Sequence, residues 1–184
     1  MRTRPGGLVV WMTGLSGAGK TTLAHALHDR LRQRGVAAVV LDGDRLRAGL
    51  CRDLGFSAAD RHEQNRRAAE VAALMADAGL VVIAALISPY AADRAAARAL
   101  RPPGGFIEVH LDASLAECEA RDAKGLYRRA RTGALPGFTG IDAPYEPPAA
   151  PELRLPTGRC RVEEAVAAVL AEIDRRIGDS PTAG

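Results

Sequence analysis

The chain has 184 residues, of which 47% are hydrophobic and 26% charged, the size and balance of one globular domain; a disordered or fibrous protein is set aside. Its formal charge of +3 is mild, its basic residues are interspersed with acids, and only 4% of residues are aromatic, so a nucleic-acid platform is not expected and small anionic substrates are. Cys51, Cys118 and Cys160 are odd in number and form no C-x-x-C, which argues against a disulfide framework and a zinc site.

Met1 to Gly7 lead straight into an apolar run, Leu8 to Met12, which reads as a strand and leaves no room for a signal peptide ahead of it. Then come Gly14, Leu15, Ser16, Gly17, Ala18, Gly19, Lys20 and Thr21, fitting G-x-x-x-x-G-K-[ST] in full, with Thr22 and the helical pattern Leu23, Leu27, Leu31 behind them. Glycines at these positions let backbone N–H groups wrap a phosphate, and the helix adds its positive end. Lys20 is expected on the β/γ-phosphates of ATP and the Thr21 hydroxyl on Mg²⁺. Lys20 and Lys124 are the sole lysines among 25 Lys plus Arg, as suits a compact ammonium enclosed by backbone amides.

The first helix is expected to stop at Gly35. Val36 to Leu41 then reads as a buried strand running into Asp42-Gly43-Asp44. Asp44, opening the next segment, is the better candidate to touch substrate, although Asp-Gly-Asp is also a common turn and N-cap sequence. Ser57 to Asp60 have capping-box form and start a helix whose expected core stripe is Val71, Leu74, Met75 and Ala78, ending at Gly79. Its first turns, Arg61 to Arg67, are wholly polar, with Arg61 and Gln64 on one face; a solvated face is the plain explanation, and His62 reads as a surface residue.

Leu80 to Ile87 forms a further buried strand, too short to cross a bilayer, and Ser88 follows at its carboxyl end before Pro89. Ser88 could be a turn residue, a phosphate ligand or a nucleophile, the first two favoured because no base lies beside it. Ala91 to Leu100 reads as a helix, Phe106 to Leu111 as a strand and Leu115 to Arg121 as a short helix. A basic run follows, then a Pro- and Gly-rich stretch after Gly133 too long for a connector, which suggests an active-site lid. Glu152 to Leu155 is a last strand, and Val162, Val166, Val169, Leu170, Ile173 and Ile177 mark a closing helix. Strands alternating with helices imply a parallel sheet.

Six segments in order resemble the adenylylsulfate kinases: Gly14 to Thr22, Leu41 to Asp44, Asp53 to Ser57 with Asp60-Arg61, Ile87 to Tyr90, Lys124 to Tyr127, and Gly137 to Asp142 with Pro144 to Glu146. The resemblance implies phosphorylation of the 3′-hydroxyl of adenosine 5′-phosphosulfate. It implies that Asp44, Arg47, Arg61, Ile87, Ser88 and Gly137 bind this substrate, and that Phe56 and Phe138 sandwich its adenine. It further implies a homodimer, and a serine at position 88 that some descriptions of the family make a phosphoserine intermediate. Three positions depart from the family pattern: Gln64 stands for a substrate-binding Asn, Arg45 for Asn, and Ala91 for Arg. All three fall on the acceptor side, which leaves a different nucleotide-like or sugar acceptor as the alternative, and a non-catalytic nucleotide-binding regulator behind it.

The expectation is thus one cytoplasmic α/β domain over residues 1–184 with the P-loop NTPase fold, a parallel sheet flanked by helices. Its lid spans about 122–148 and its ends, 1–6 and 178–184, are flexible. MgATP is the donor, Asp44, Lys20 and Ser88 are the catalytic candidates, and Gln64 and Lys124 join the substrate-binding set.

Overall fold

A computed structural model describes residues 7–178. Apart from Gly178, the ends expected to be flexible lie outside these residues, as does the side chain of Ile177. Five strands form one parallel sheet: β1 (Leu8–Thr13), β2 (Ala38–Asp42), β3 (Val81–Ala85), β4 (Phe106–Leu111) and β5 (Leu153–Leu155), in the spatial order β2-β3-β1-β4-β5. Every residue of β1 is buried, as its unbroken apolar run requires of a central strand covered on both faces. The helices are α1 (Lys20–Gln33), α2 (Gly43–Ala48), α3 (Ala58–Asp77), α4 (Ala91–Ala99), α5 (Leu115–Arg121), α6 (Leu126–Arg131) and α7 (Val162–Gly178).

The sheet separates two apolar clusters. One joins Leu8, Val10 and Met12 to the α1 leucines Leu23, Leu27 and Leu31 and to Val166, Val169, Leu170 and Ile173 of α7. The other joins Val9, Trp11 and Phe106 to the alanine face of α3. Alternating residues of β1 thus feed opposite layers, as the twofold period of a strand demands. In register, the carboxyl ends of β1, β2 and β3 lie side by side, with Met12 opposite Ala85 and Asp42 opposite Ala85 on the other edge. That edge is where an open α/β sheet collects ligands.

Four expectations about elements are corrected or extended. Strand β2 begins at Ala38 rather than Val36 and runs through Asp42, and β3 stops at Ala85 rather than Ile87. The basic run after Asp122 contains α6. Helix α3 packs with Ala68, Ala69, Ala72 and Ala76, whereas Leu74 is 69% exposed and Ala78 is exposed. The reason lies one turn back, where Arg61, Gln64 and Asn65 are buried, and steps of three and four residues carry that same face through the alanines. Small side chains there let α3 lie close to the sheet.

Candidate active site

The phosphate-type loop follows β1 and its backbone takes conformations that favour glycine. Gly14 has φ +153°, and a Cβ there would lie 2.7 Å from the Leu111 carbonyl; Gly19 caps α1 at φ +98°. No side chain caps α1, so its first N–H groups are left for an anion. Lys20 turns back over the loop, Nζ donating to the Gly14 carbonyl at 2.8 Å and to the Leu15 carbonyl at 2.7 Å. Burial, opposed by the charges of Asp42 and Asp44, brings its pKa down to about 8.

Thr21 donates from Oγ1 to Asp42 Oδ2 at 2.8 Å, joining the first turn of α1 to the end of β2. Asp42 is also the N-cap of α2: its Oδ1 accepts from the amides of Asp44 at 3.0 Å and Arg45 at 3.3 Å. The turn leaves the Asp44 carboxylate exposed and paired with Lys124. Threonine and aspartate oxygens at the mouth of the loop suit a hard cation such as Mg²⁺, which takes few protein ligands and completes its shell with phosphate and water. Among the described residues, no cluster of three or more His, Cys, Asp or Glu is placed to hold a metal.

On the facing wall, Arg61, Gln64 and Asn65 at the polar start of α3 are buried, so the solvated-face reading fails for the face that carries Arg61 and Gln64. Arg61 donates from Nε to the Phe56 carbonyl at 3.0 Å, from Nη1 to Thr139 Oγ1 at 2.9 Å and from Nη2 to the Gly137 carbonyl at 2.5 Å. One guanidinium thereby fixes both the Phe56 loop and the Gly137–Thr139 turn. The ring of Phe56 is 56% exposed with the Arg47 guanidinium 4.3 Å above its centre, and Arg47 is held by the Gly55 carbonyl. Phe138 is buried and meets Tyr127 edge-on at 5.0 Å. His62 is exposed, as expected, stacked on Tyr90 with Nδ1 2.6 Å from Asp93.

Ser88 is buried, with φ +38°, a conformation few non-glycine residues adopt. Its Oγ accepts from the Trp11 indole at 3.1 Å, and its carbonyl accepts from Arg94 at 2.7 Å. These contacts make it a fixed turn residue. The segment after α5 is tied at both ends. Arg121 reaches the Gly17 and Thr157 carbonyls, and the Tyr127 hydroxyl donates to the Ser16 carbonyl at 2.8 Å. Burial pushes the Tyr127 phenol up, keeping it a donor. Farther on, Tyr145 pairs with Thr13, and Glu146 binds the backbone of Pro89 and Ala91.

Together these residues line one cleft of about 980 Å³. Ser16 to Thr22, Asp44, Arg47, Phe56, Arg61, Gln64, Ile87, Ser88, Lys124, Gly137 and Phe138 all face it; Gly14 and Leu15 do not, and serve it through their carbonyls on Lys20. Arg121, Tyr127, Thr139 and Thr157 are additions that the sequence reading passed over, and Asp42, there ranked behind Asp44, also lines the cleft. Asp42 carried a readable signal as the last strand residue before a helix start, but the others depend on contacts between distant segments.

A sequence profile described as "Adenylylsulphate kinase" matches residues 6–156, most of the chain. The chain belongs to the adenylylsulphate kinase family. Adenylyl-sulfate kinase of Geotalea uraniireducens is 58% identical over 172 residues, covering 94% of this chain and 83% of that protein. The Vibrio parahaemolyticus adenylyl-sulfate kinase is 55% identical over 168 residues, covering 91% and 82%. Among solved structures, an APS kinase of Mycobacterium tuberculosis in complex with AMPPNP and APS superposes with a TM-score of 0.88 at 47% identity, covering 93% of this chain and 99% of that one. A gluconokinase of Sinorhizobium meliloti, 20% identical with a TM-score of 0.59 over 97% of each chain, shares the fold alone. Of Gln64, Arg45 and Ala91, Gln64 faces the cleft, whereas Arg45 and Ala91 are exposed and do not line it.

Proposed function

We propose that the protein transfers the γ-phosphoryl group of ATP to the 3′-hydroxyl of adenosine 5′-phosphosulfate, giving ADP and 3′-phosphoadenylylsulfate. The observation that carries this reading is the placement of Lys20 and Asp44 on two walls of one cleft, joined through the Thr21–Asp42 hydrogen bond.

The loop from Gly14 to Thr22 cradles the phosphates with backbone amides, and Lys20 exchanges its carbonyl partners for phosphate oxygens. Thr21 and Asp42 would hold Mg²⁺, which would supply positive charge to offset that of the phosphates. Asp44 orients the acceptor hydroxyl and takes its proton late in the transfer. Arg47 and Arg61 face the acceptor's phosphate and sulfate charges, and Phe56 and Phe138 its adenine. Ser88 and Ile87 serve as a rigid wall: with its hydroxyl accepting from Trp11, Ser88 is not needed as a nucleophile, because in-line transfer requires positioning and charge stabilisation. The segment 122–148 acts as a lid, with Lys124 meeting Asp44 across the cleft mouth.

We further place the protein in the cytoplasm, as a single kinase domain that pairs as a homodimer. Its three free cysteines and its family support that reading, and among the described residues no helix is long and apolar enough to cross a membrane. The deciding measurement is ADP release from MgATP with and without adenylylsulfate, with other adenine nucleotides and sugars in parallel. Stimulation by adenylylsulfate alone is expected; ATP binding with no stimulation by it would reassign the acceptor.

A further inference from the structure

The Asp44 carboxylate is exposed, and Lys124, its side-chain partner among the described residues, belongs to the segment proposed to move. Its position between turnovers therefore depends on the backbone of the Asp42–Asp44 turn. Helix α2, which this turn opens, spans Gly43–Ala48, too short to hold itself. Two side chains from outside the α2 helix grip it at its start. One is the Asp42 cap, which also accepts from Thr21 and so ties the turn to the donor wall. The other comes from the acceptor wall: Gln64 of α3 donates from Nε2 to the Gly43 carbonyl at 3.3 Å.

A carbonyl can only accept, so it fixes which end of the Gln64 amide faces it. Gln64 is 7% exposed, and α3, the longest helix, sets its origin. Gly43 lies beside the end of β3, where a Cβ would be in ordinary contact, 3.5 Å from the Ala85 carbonyl and 4.0 Å from Gln64 Nε2. The turn thus sits between the sheet and the Gln64 amide. The two methylenes of the Gln64 side chain carry its amide as far as this backbone.

We propose that Gln64 is a positioning residue that acts through the Gly43 carbonyl to hold Asp44 at the reacting hydroxyl. This inference rests on the reaction proposed above. Two variants test it: Gln64→Met removes the donor, and Gln64→Glu keeps the shape but sets a carboxylate oxygen against the carbonyl. In each, kcat with adenylylsulfate is expected to fall by about 10–50-fold, with KM for ATP within about twofold. In an Asp44→Asn background the same changes are expected to cost less than about threefold, because a misplaced base that is already lost cannot be lost again. Equal factors in both backgrounds, or a rise in KM for adenylylsulfate with kcat unchanged, would overturn the proposal. If the methionine variant fails to fold, the near-isosteric glutamate variant decides. Amide exchange over residues 42–48, read without any substrate, separates the two claims. Faster exchange in the variants of a protein that ignores adenylylsulfate would remove the proposed reaction and keep the positioning. Unchanged exchange and rate in an active enzyme would do the reverse.

Discussion

The two walls of the cleft are built in different ways. The donor wall is one continuous stretch, a fully buried strand, a glycine turn and a helix start, in which Lys20 and the loop carbonyls satisfy one another. The acceptor wall comes from three separated segments, residues 42–47, 56–64 and 122–142, fastened by single side chains such as Arg61 and by exposed ion pairs such as Asp44–Lys124. A phosphate tail can be met by rigid backbone amides, whereas a whole adenylylsulfate has to be surrounded and released. The difference teaches that damage to the donor wall should be felt by every ligand, and damage to the acceptor wall by turnover first.

The sharpest test of that division is Asp44→Asn, expected to lower kcat by about 10²–10⁴-fold while leaving ATP affinity within about threefold. Equal losses in both, measured by steady-state kinetics and calorimetry, would erase the distinction between walls. Next is Arg61→Lys, which keeps the charge but cannot supply the guanidinium's three contacts. KM for adenylylsulfate is expected to rise by about 10–100-fold and stability to fall by about 1–3 kcal/mol, with ATP binding spared. A protein that melts at the parent temperature would show that the guanidinium does not fasten the two segments.

A smaller effect probes the donor wall by pH. Burial holds Lys20 near 8, below its ordinary 10.5, so in the free protein the ammonium is present below about pH 8 and lost above it. Phosphates require the ammonium, so ATP affinity should be full below pH 8 and fall by up to about tenfold per unit above it, with proton uptake on binding at pH 8.5. The fold responds in the opposite sense: between 8 and 10.5 the unfolded chain holds the extra proton, and stability from this group rises with pH. Titration calorimetry in buffers of different ionisation enthalpy reads the uptake, and none would contradict the burial. The smallest expected effect is Leu74→Lys on the outer face of α3, within about 0.5 kcal/mol of the parent by thermal melting and without effect on either substrate.

What could be read from the chain follows the same division. The donor wall was legible because its chemistry lies in consecutive residues with a strand before and a helix after. The strands were placed correctly and their ends misplaced by a few residues, since the apolar run continues through Leu86 and Ile87 beyond Ala85, the last residue of β3. Helix α3 was found and its Val71 and Met75 do pack on the core, but Leu74 and Ala78 were read into the stripe in place of the alanines that pack on the sheet. Its polar first turns looked solvated because their partners, Thr139 and the Gly137 carbonyl, lie more than seventy residues away. The tie between Tyr127 and the Ser16 carbonyl was equally out of reach of any local pattern.

The scarcity of lysine has a practical side. Lys20 and Lys124 are the chain's only side-chain amines, and both line the same cleft. For this protein an amine-directed acylating reagent is therefore a probe of one place, apart from the chain's amino terminus. Intact mass after brief acylation counts how many of the two are open. Lys124, the exposed one, should react first, and Lys20, nine-tenths buried and held by two carbonyls, should lag.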